Sequence, residues 1–467
     1  MRSISEHLAH TAIAFMARDL RDHPETVVLE AKRCLLDSLA VAVGACSAPV
    51  SNIICTWARE MGGRQEATVI GDGLMVPAAH AALANGTMLR YWDYNDNYMT
   101  KTGAGLHASE IIPAVLAVAE AVRANADSTL KAIILGYELA ARLCDAAGKT
   151  SHSIGPRGIH HGTLGLLVAP AIVGPLMNLT PQQITNAIGT SGALVMLGII
   201  DPMPHDCNTM AKDVAFPLGN YLGITAASWA KAGFTGPTRV FEGEKGLVAS
   251  AFGDDYDLEA LRRSLVLPWK RYAILETARK LFPVCGPLLG VAEAMHKLVN
   301  ENNIDPNMVA GINIRASAMC AHHDDDPHGF YAINKETADH SLPFVVSVLL
   351  LEKRLGREQF SSQWLKDPRI PRIAAKIRVR ADPSMHFKGD PGYVEIRMTN
   401  KEVFATGVAA RKGHYTNPMS DEDIKAKFRT MSDGFMTEDT LEKCIDLVYR
   451  FEEVADISEF MRHFVRS

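Results

Sequence analysis

The feature that most constrains the fold of this chain is a change of hydrophobic pattern near residue 270. Before it, apolar residues recur at helical spacing in alanine- and leucine-rich segments, without the alternation of a half-buried strand. The pattern predicts helices at 78–92, 110–124, 129–147, 163–177, 181–199 and 209–232. Thr180, Pro181 and Gln183 form a start signal, a capping threonine followed by proline and glutamine at helix-favouring positions. Because these helices are apolar around much of their circumference, we expect them to pack in more than one layer.

After residue 270 the pattern becomes mixed. Apolar and polar residues alternate around Ile312, Ile377 and Val394, which predicts short strands in a small antiparallel sheet. Asn400-Lys401 lies between two such stretches and has the character of a hairpin turn. The same part of the chain and its tail predict helices at 286–300, 338–354, 421–430 and 438–452.

These patterns predict a mainly α protein with two domains. A large all-helical domain is formed by both chain ends, residues 1–268 and 411–467. A smaller α+β lid domain, residues 269–410, is inserted between them. The length of 467 residues agrees with more than one domain.

Composition restricts the partners. Apolar residues make up 47% of the chain, enough for a large core, and the formal net charge is −5. The negative charge argues against nucleic acid and against an anionic membrane surface. No secretory signal is recognisable, and the longest apolar stretch, 164–177, is too short for a membrane span and is interrupted by Pro170 and Pro175. We therefore expect a cytoplasmic protein without a membrane partner.

Metal and nucleotide motifs are absent from the sequence. The eight cysteines are scattered with no C-x-x-C pair, which favours reduced thiols. The segment 320–328 is rich in histidine and aspartate, but consecutive residues rarely converge on one ion, so no metal is predicted. The sequence also lacks the serine-hydrolase elbow, the P-loop and the dinucleotide-binding glycine pattern.

Two loops combine groups suited to acid–base chemistry. Asp93 and Asn97 lie in a polar, aromatic loop that runs on to His107. A carboxylate beside an imidazole can form an acid–base pair, although helix capping is the simpler interpretation. Arg157 and His160 precede an apolar helix in a glycine-rich turn, where an arginine and free amides can bind an anion. A surface loop is the alternative there.

Two lysines are further candidates. Lys212 falls in the first turn of an apolar helix, which is unfavourable for the helix dipole unless an anion compensates it. Lys280 follows Arg279 near the predicted domain junction. Each has an ordinary alternative as a solvated surface lysine.

Taken together, these segments resemble the MmgE/PrpD family in order and spacing. The segments that carry the resemblance are AKRCLLDSLAVAVGA (31–45), RYWDYNDNYM (90–99), RGIHHGT (157–163), the most specific match at 210–247, KLFPVC (280–285) and ETADHSLPFVVS (336–347). Four positions depart from the family pattern. Ala108 and Glu110 replace the usual residues after His107, Asn97 stands where threonine is common, and Ile159 replaces an aromatic residue.

The resemblance implies a homodimeric enzyme with a helical domain, an α+β lid and a site between them. It implies cofactor-independent and metal-free chemistry on a small polycarboxylate. Most members dehydrate, as 2-methylcitrate dehydratase does, while relatives decarboxylate cis-aconitate or epimerise an iminodisuccinate. Carried over position by position, it assigns catalytic roles to Asp93, His107, His160, Lys212 and Lys280. It assigns substrate binding to Asn97, and with less support from the alignment of the lid loop to Tyr331; Arg157 is added on the chemistry of its turn.

From these residues we predict a hydro-lyase that acts through a carboxylate-stabilised carbanion. The lysines, with Arg157, would neutralise substrate carboxylates. Either His107 or His160 would remove a proton, and the other, assisted by Asp93, would protonate the departing hydroxyl. A decarboxylase or an epimerase on the same fold remains an alternative. So does a non-catalytic helical binding protein, which would need no convergence of these side chains.

Overall fold

A computed structural model describes residues 2–100, 105–147, 159–194, 208–322, 332–385 and 389–466. The fold is mainly α-helical, as predicted. The helices before residue 270 are α1 Ile4–Met16, α2 Glu25–Val43, α3 Pro49–Met61, α4 Ala78–Tyr91, α5 Ile112–Ala121, α6 Ala126–Asp145, α7 Thr163–Leu176, α8 Pro181–Ala193, α9 Ala211–Lys231 and α10 Leu258–Ser264. The predicted capping of α8 is confirmed, because the Thr180 hydroxyl accepts the amide of Gln183 and the Gln183 side chain accepts that of Thr180.

The later elements alternate between helices and strands. They are α11 Leu289–Glu301, β5 Val309–Ala316, α12 Ala318–His322, α13 Lys335–Ala338, α14 Leu342–Glu352, α15 Ser362–Leu365, α16 Arg369–Ala374, β6 Ile377–Ala381, β7 Gly392–Met398, β8 Val403–Val408, α17 Asp421–Met431, α18 Glu438–Tyr449 and α19 Ile457–Met461. The strands form one sheet in the order β6-β5-β7-β8. β7 and β8 are an antiparallel pair joined at Asn400-Lys401, which confirms the predicted hairpin.

Two expectations about strands were wrong. The sheet is mixed, because β5 pairs with β6 in parallel through a helical connection and with β7 in antiparallel. The helical part also contains two short ladders, β1 Ala67–Thr68 with β2 Met75–Val76, and β3 Tyr98–Met99 with β4 Gly105–Leu106. Pairs of two residues are too short to produce a periodic signal in the sequence.

Two hydrophobic clusters organise the described residues. One contains side chains from 4–274 and 419–464, and the other contains side chains from 282–398. Within the first, α9 packs against α7, α4 and α8. The boundaries at 268, 269, 410 and 411 remain a prediction, since clusters of side chains do not by themselves define folding units.

Close helix packing at glycines sets the positions of two site loops. At Gly219 of α9, an added Cβ would lie 3.0 Å from the Gly162 carbonyl oxygen and 3.0 Å from the Leu166 amide nitrogen. At Gly165 of α7, it would lie 2.9 Å from the Phe216 carbonyl oxygen. The two helices therefore approach backbone to backbone, with the histidine turn before α7 beside the first turn of α9.

Candidate active site

The candidate site is built around the carboxylate of Asp93, which is 1% exposed. Asp93 follows the C-terminus of α4 with a φ of 47°, in the left-handed region that aspartate tolerates better than most residues. This turn presents two acceptors to one cation, since the Lys280 ammonium donates to the carbonyl oxygen at 2.7 Å and to Oδ1 at 2.6 Å. Non-glycine residues in this conformation are frequent at functional sites.

Three cationic side chains surround this carboxylate. Besides Lys280, the Arg90 Nη1 atom donates to Oδ1 at 2.6 Å, and the Lys212 Nζ lies 3.8 Å from Oδ2. Burial by itself raises the pKa of Asp93, but Arg90, Lys280 and Lys212 outweigh it and hold that pKa well below its usual range. Asp93 is therefore an anion that fixes several cations at one point.

His107 is placed to act as a base. Its Nδ1 lies 2.5 Å from the Asp96 carbonyl oxygen, which can only accept, so the ring proton is on Nδ1 and Nε2 carries a lone pair. Nε2 lies 3.8 Å from Asp93 Oδ1. Burial and the charges of Arg90 and Lys280 lower the pKa of His107 well below its usual value, which keeps the ring neutral.

Asp96 holds the loop that carries His107. Its carboxylate accepts the Tyr137 hydroxyl at 2.6 Å and the Ser109 amide at 3.1 Å. Burial raises the pKa of Asp96. This aspartate therefore positions His107 through its backbone carbonyl, a contact that side-chain chemistry in the sequence does not disclose.

His160 has the opposite tautomer. Its Nδ1 accepts the Gly162 amide at 3.0 Å, which leaves the proton on Nε2. Burial, together with Arg90 and Lys212, lowers its pKa to about 3, so it is a neutral hydrogen-bond donor. The ring packs on His161 with centroids 3.8 Å apart, and His161 in turn lies 5.2 Å from His107. The two candidate histidines are thus in one cluster with different capacities.

The second hydrophobic cluster contributes His340, which sequence reasoning missed. Its Nε2 lies 3.6 Å from Asp93 Oδ2, and its Nδ1 bonds to Asp339. Burial lowers the pKa of His340, but the sulfur of Cys285 and the carboxylate of Asp339 outweigh burial and raise it to about 9. The signal was available, because a polar Asp-His pair directly before the apolar helix α14 lies inside the segment 336–347.

Asp339 is the anion that compensates the charge of Lys212 in the first turn of α9. The Lys212 ammonium donates to both Asp339 oxygens, at 3.2 and 3.1 Å, and Lys335 lies 2.9 Å from Oδ2. These cations hold the pKa of the buried Asp339 below its ordinary value despite desolvation. The compensating anion is therefore a side chain of the protein, and it connects α9 to the second cluster.

The three predicted binding residues have different outcomes. Asn97 lies close to the site, but its side-chain oxygen accepts a hydrogen bond from Arg411 Nη2 at 2.9 Å. Its backbone amide donates to the carbonyl oxygen of Ala278, and the amide of Ala278 donates to the carbonyl oxygen of Asn97. It therefore ties the Asp93 loop to the Lys280 segment. Arg157 and Tyr331 lie outside the described residues, as does most of the segment 320–328, so their roles remain predictions.

Among the described residues, Asp93, Cys285 and His340 are the group that could hold a metal ion, with one ligand atom of each within 4.8 Å of the others. The donor types suit a borderline-soft divalent ion. However, Asp93 already has two cationic groups at 2.6 Å and a third at 3.8 Å. A further cation at this point is opposed by like charge, so the donor set fits a metal poorly.

Glu110 and His161 form a second buried pair beside the site. Glu110 Oε1 lies 3.0 Å from Arg90 Nε, and Oε2 lies 4.0 Å from His161 Nε2. Burial outweighs Arg90 and raises the pKa of Glu110 to about 8. The side chain of Glu110, a carboxylic acid that is neutral near pH 7, thus lies beside His161.

Comparison with known proteins identifies the class to which this fold and site belong. The MmgE/PrpD N-terminal domain matches residues 7–259, and the MmgE/PrpD C-terminal domain matches residues 282–452. The chain belongs to the MmgE/PrpD family. The recognition made from the sequence motifs is confirmed.

Named enzymes are among the relatives. Cis-aconitate decarboxylase of Homo sapiens is 24% identical over 98% of this chain and 94% of its own length. Cis-aconitate decarboxylase of Aspergillus terreus is 24% identical over 98% and 95%. The 2-methylcitrate dehydratase of Escherichia coli (strain K12) is 25% identical over 75% and 73%. The chain is accordingly an enzyme of a family in which lyase reactions on small carboxylic acids occur.

Proposed function

We propose that this enzyme is a metal- and cofactor-independent lyase that dehydrates a small di- or tricarboxylic hydroxy acid resembling 2-methylcitrate. One observation carries the proposal. The Nε2 atoms of His107 and His340 lie 3.8 and 3.6 Å from the two carboxylate oxygens of the buried Asp93. The pKa of His107 is lowered and that of His340 is raised, so one ring is suited to accept a proton and the other to donate one. An elimination of water needs one base to remove the proton and one acid to protonate the departing hydroxyl, both close to the same substrate.

The substrate carboxylates are bound by the cations that Asp93 and Asp339 now organise. Lys212 and Lys280 lie on either side of Asp93, at 3.8 and 2.6 Å from its two oxygens. We assign Arg157 to the same role. Each ammonium has three donors, so it can keep its aspartate and still bind a substrate oxygen. Neutralising the carboxylate beside the reacting carbon stabilises the charge that develops there, which is worth several kcal/mol in a water-poor site.

The elimination then has two proton transfers. His107 removes the proton next to the neutralised carboxylate through Nε2, and the C–H pair of electrons becomes the new double bond. His340 gives its Nε2 proton to the departing hydroxyl, which leaves as water. His160, a neutral donor through Nε2, would hydrogen-bond the oxygen on which charge accumulates. His107 then releases its proton to solvent, and His340 takes up a proton from solvent.

A decarboxylation is the second candidate, and the comparisons favour it on one count. The named decarboxylases align with 98% of this chain, whereas the Escherichia coli dehydratase aligns with 75%. In that reaction a C–C bond breaks, carbon dioxide leaves, and His340 protonates the resulting carbanion. No base is then required, so the unprotonated Nε2 of His107 would have no role in the reaction.

The test is proton NMR of EDTA-treated enzyme with 2-methylcitrate isomers, citrate and cis-aconitate, one at a time. We expect a new olefinic signal from one hydroxy acid with loss of water and no carbon dioxide. Release of carbon dioxide from cis-aconitate would replace dehydration by decarboxylation. No turnover of any compound by folded enzyme would contradict both assignments of substrate class.

A further inference from the structure

Cys285 is the reactive group of the site that the proposed lyase reaction does not use. It follows Lys280 along the chain, at the start of a short turn, Gly286–Leu288, that leads into α11. Its backbone amide donates to the Asp339 carbonyl oxygen at 2.8 Å. Its sulfur, a ring nitrogen of His340 and an oxygen of Asp93 all lie within 4.8 Å of one another. A thiol and an imidazole thus lie close to each other, beside the cations that surround Asp93.

The surroundings of this sulfur carry an excess of positive charge. Lys280 and His340 interact electrostatically with the Cys285 sulfur. Arg90 and Lys212 lie beside Asp93, an oxygen of which is within 4.8 Å of that sulfur. The anions of this group are Asp93 and Asp339. A partly accessible thiol beside an imidazole and several cations is in the kind of environment in which cysteines react as nucleophiles. The same charges concentrate small anions at the sulfur.

Five of the six other described cysteines have different surroundings. Burial raises the pKa of Cys55 and Cys444 to about 12, and it raises the pKa values of Cys34 and Cys144 still further above the ordinary value. Cys46 is half-buried like Cys285, but its sulfur lies beside the Ser47 hydroxyl at 3.8 Å. Cys46 is therefore a comparison of similar exposure within the same chain.

We propose that Cys285, paired with His340, is a nucleophilic thiol that is modified selectively by small electrophiles bearing a carboxylate. With a haloacetate, the sulfur displaces the halide, a C–S bond forms as the C–halogen bond breaks, and the thiol proton is released to solvent. With an α,β-unsaturated acid, the sulfur adds to the β-carbon, His340 gives a proton to the α-carbon, and the thiol proton replaces it on His340. The inference goes beyond the proposed reaction, because neither proton transfer involves the sulfur.

The test is competitive labelling of the native protein with iodoacetate or iodoacetamide, followed by mass spectrometry of the cysteine peptides. We expect Cys285 to react with iodoacetate at least about tenfold faster than Cys46 does. The ratio of iodoacetate to iodoacetamide rates should exceed that of free cysteine in the same buffer by about tenfold. Tricarballylate, a polycarboxylate without a hydroxyl group to eliminate, should slow the labelling of Cys285 and leave that of Cys46 unchanged.

Variants test whether the labelling rate of Cys285 depends on His340 or only on the exposure of the thiol. His340→Gln should slow the labelling of Cys285 about tenfold, while His10→Gln, an exposed histidine on α1, should not change it. Thermal melting verifies that both variants are folded. The rate ratios are measured on the wild-type protein and do not depend on any variant. The inference is overturned if Cys285 reacts no faster than Cys46, if its preference between the two reagents equals that of free cysteine, or if folded His340→Gln labels at the original rate.

The labelling result does not depend on turnover. A protein that is labelled selectively at Cys285 but converts none of the polycarboxylates would refute the proposed function and leave this inference standing. The reverse outcome would refute only the inference.

Discussion

At the scale of single residues, the proposed chemistry depends on three histidines that differ in protonation. Hydrogen bonds to the backbone fix the proton on Nδ1 of His107 and leave Nδ1 of His160 bare. Negative neighbours keep His340 protonated although burial opposes it. These states follow from partners that are distant in the sequence, which explains why the motifs identified His107 and His160 but left open which of them is the base.

The pH profile tests the role of His340. Its pKa is raised to about 9, so the acid form is present below that pH and is lost as the pH rises through it. We expect kcat/KM to fall about tenfold per pH unit above about pH 9. His340→Gln should lower kcat/KM by about 10²–10⁴-fold at pH 7.5 and remove the alkaline decline. An unchanged alkaline decline in the variant would show that another group supplies the proton.

Glu110 gives a prediction about stability. The pKa of its buried carboxyl is about 8 against 4.5 for the ordinary group. Between these values the unfolded chain releases this proton while the folded protein retains it, so the side chain lowers stability increasingly from about pH 4.5 to pH 8. Glu110→Gln, which keeps the shape without the charge, should gain roughly 2–4 kcal/mol over wild type across this window.

Thermal melting at intervals from pH 5 to pH 9 measures this gain. Glu301→Gln, at the exposed end of α11, serves as the control and should parallel the wild-type curve. If Glu110→Gln destabilises the protein equally at every pH, Glu110 is ionised and its ion pair with Arg90 contributes to stability.

At the scale of elements, the site depends on how closely α7 approaches α9. Gly219→Ala would bring a Cβ within 3.0 Å of the α7 backbone, where no flexible side chain can yield. We expect a loss of about 1–3 kcal/mol in the free energy of unfolding. Because Lys212 and His160 lie at the ends of these helices, kcat should fall as well. Ser228→Ala, at an exposed position of α9, should change neither quantity; equal melting temperatures for the two variants would contradict this packing.

Much of the element structure was predictable because helical periodicity is a local property. The predicted helices at 78–92, 163–177 and 209–232 correspond to α4, α7 and α9 within a few residues. The sheet was harder, since strand direction depends on partners far along the chain. β5 and β6 are parallel only because α14–α16 carry the chain back across the sheet, and no feature within either strand encodes that direction.

At the scale of the whole molecule, the site draws on both hydrophobic clusters. Asp93, His107, His160 and Lys212 come from the segments of the first, and His340 with Asp339 belongs to a segment of the second. The motifs in the sequence named Asp93, His107, His160 and Lys212 as candidates. It missed His340 and Cys285 as site groups because their significance lies in contacts formed only when the clusters meet. No helix in the described ranges has the length and hydropathy needed to cross a bilayer.

The inserted lid, the homodimer and the cytoplasmic location remain predictions from the sequence and the resemblance. Light scattering after gel filtration tests the dimer: a mass near twice 50.8 kDa is expected, and a mass equal to one chain would contradict it.

Metal-free proton abstraction by His107 is tested by comparing three EDTA-treated proteins, the wild type, His107→Gln and His10→Gln, on the hydroxy acid that the NMR panel identifies. We expect full activity of the chelated wild type and of His10→Gln, and a loss of about 10²–10⁴-fold in kcat for folded His107→Gln. Activity that disappears on chelation and returns with a divalent metal, or a His107→Gln enzyme that retains wild-type turnover, would contradict this expectation.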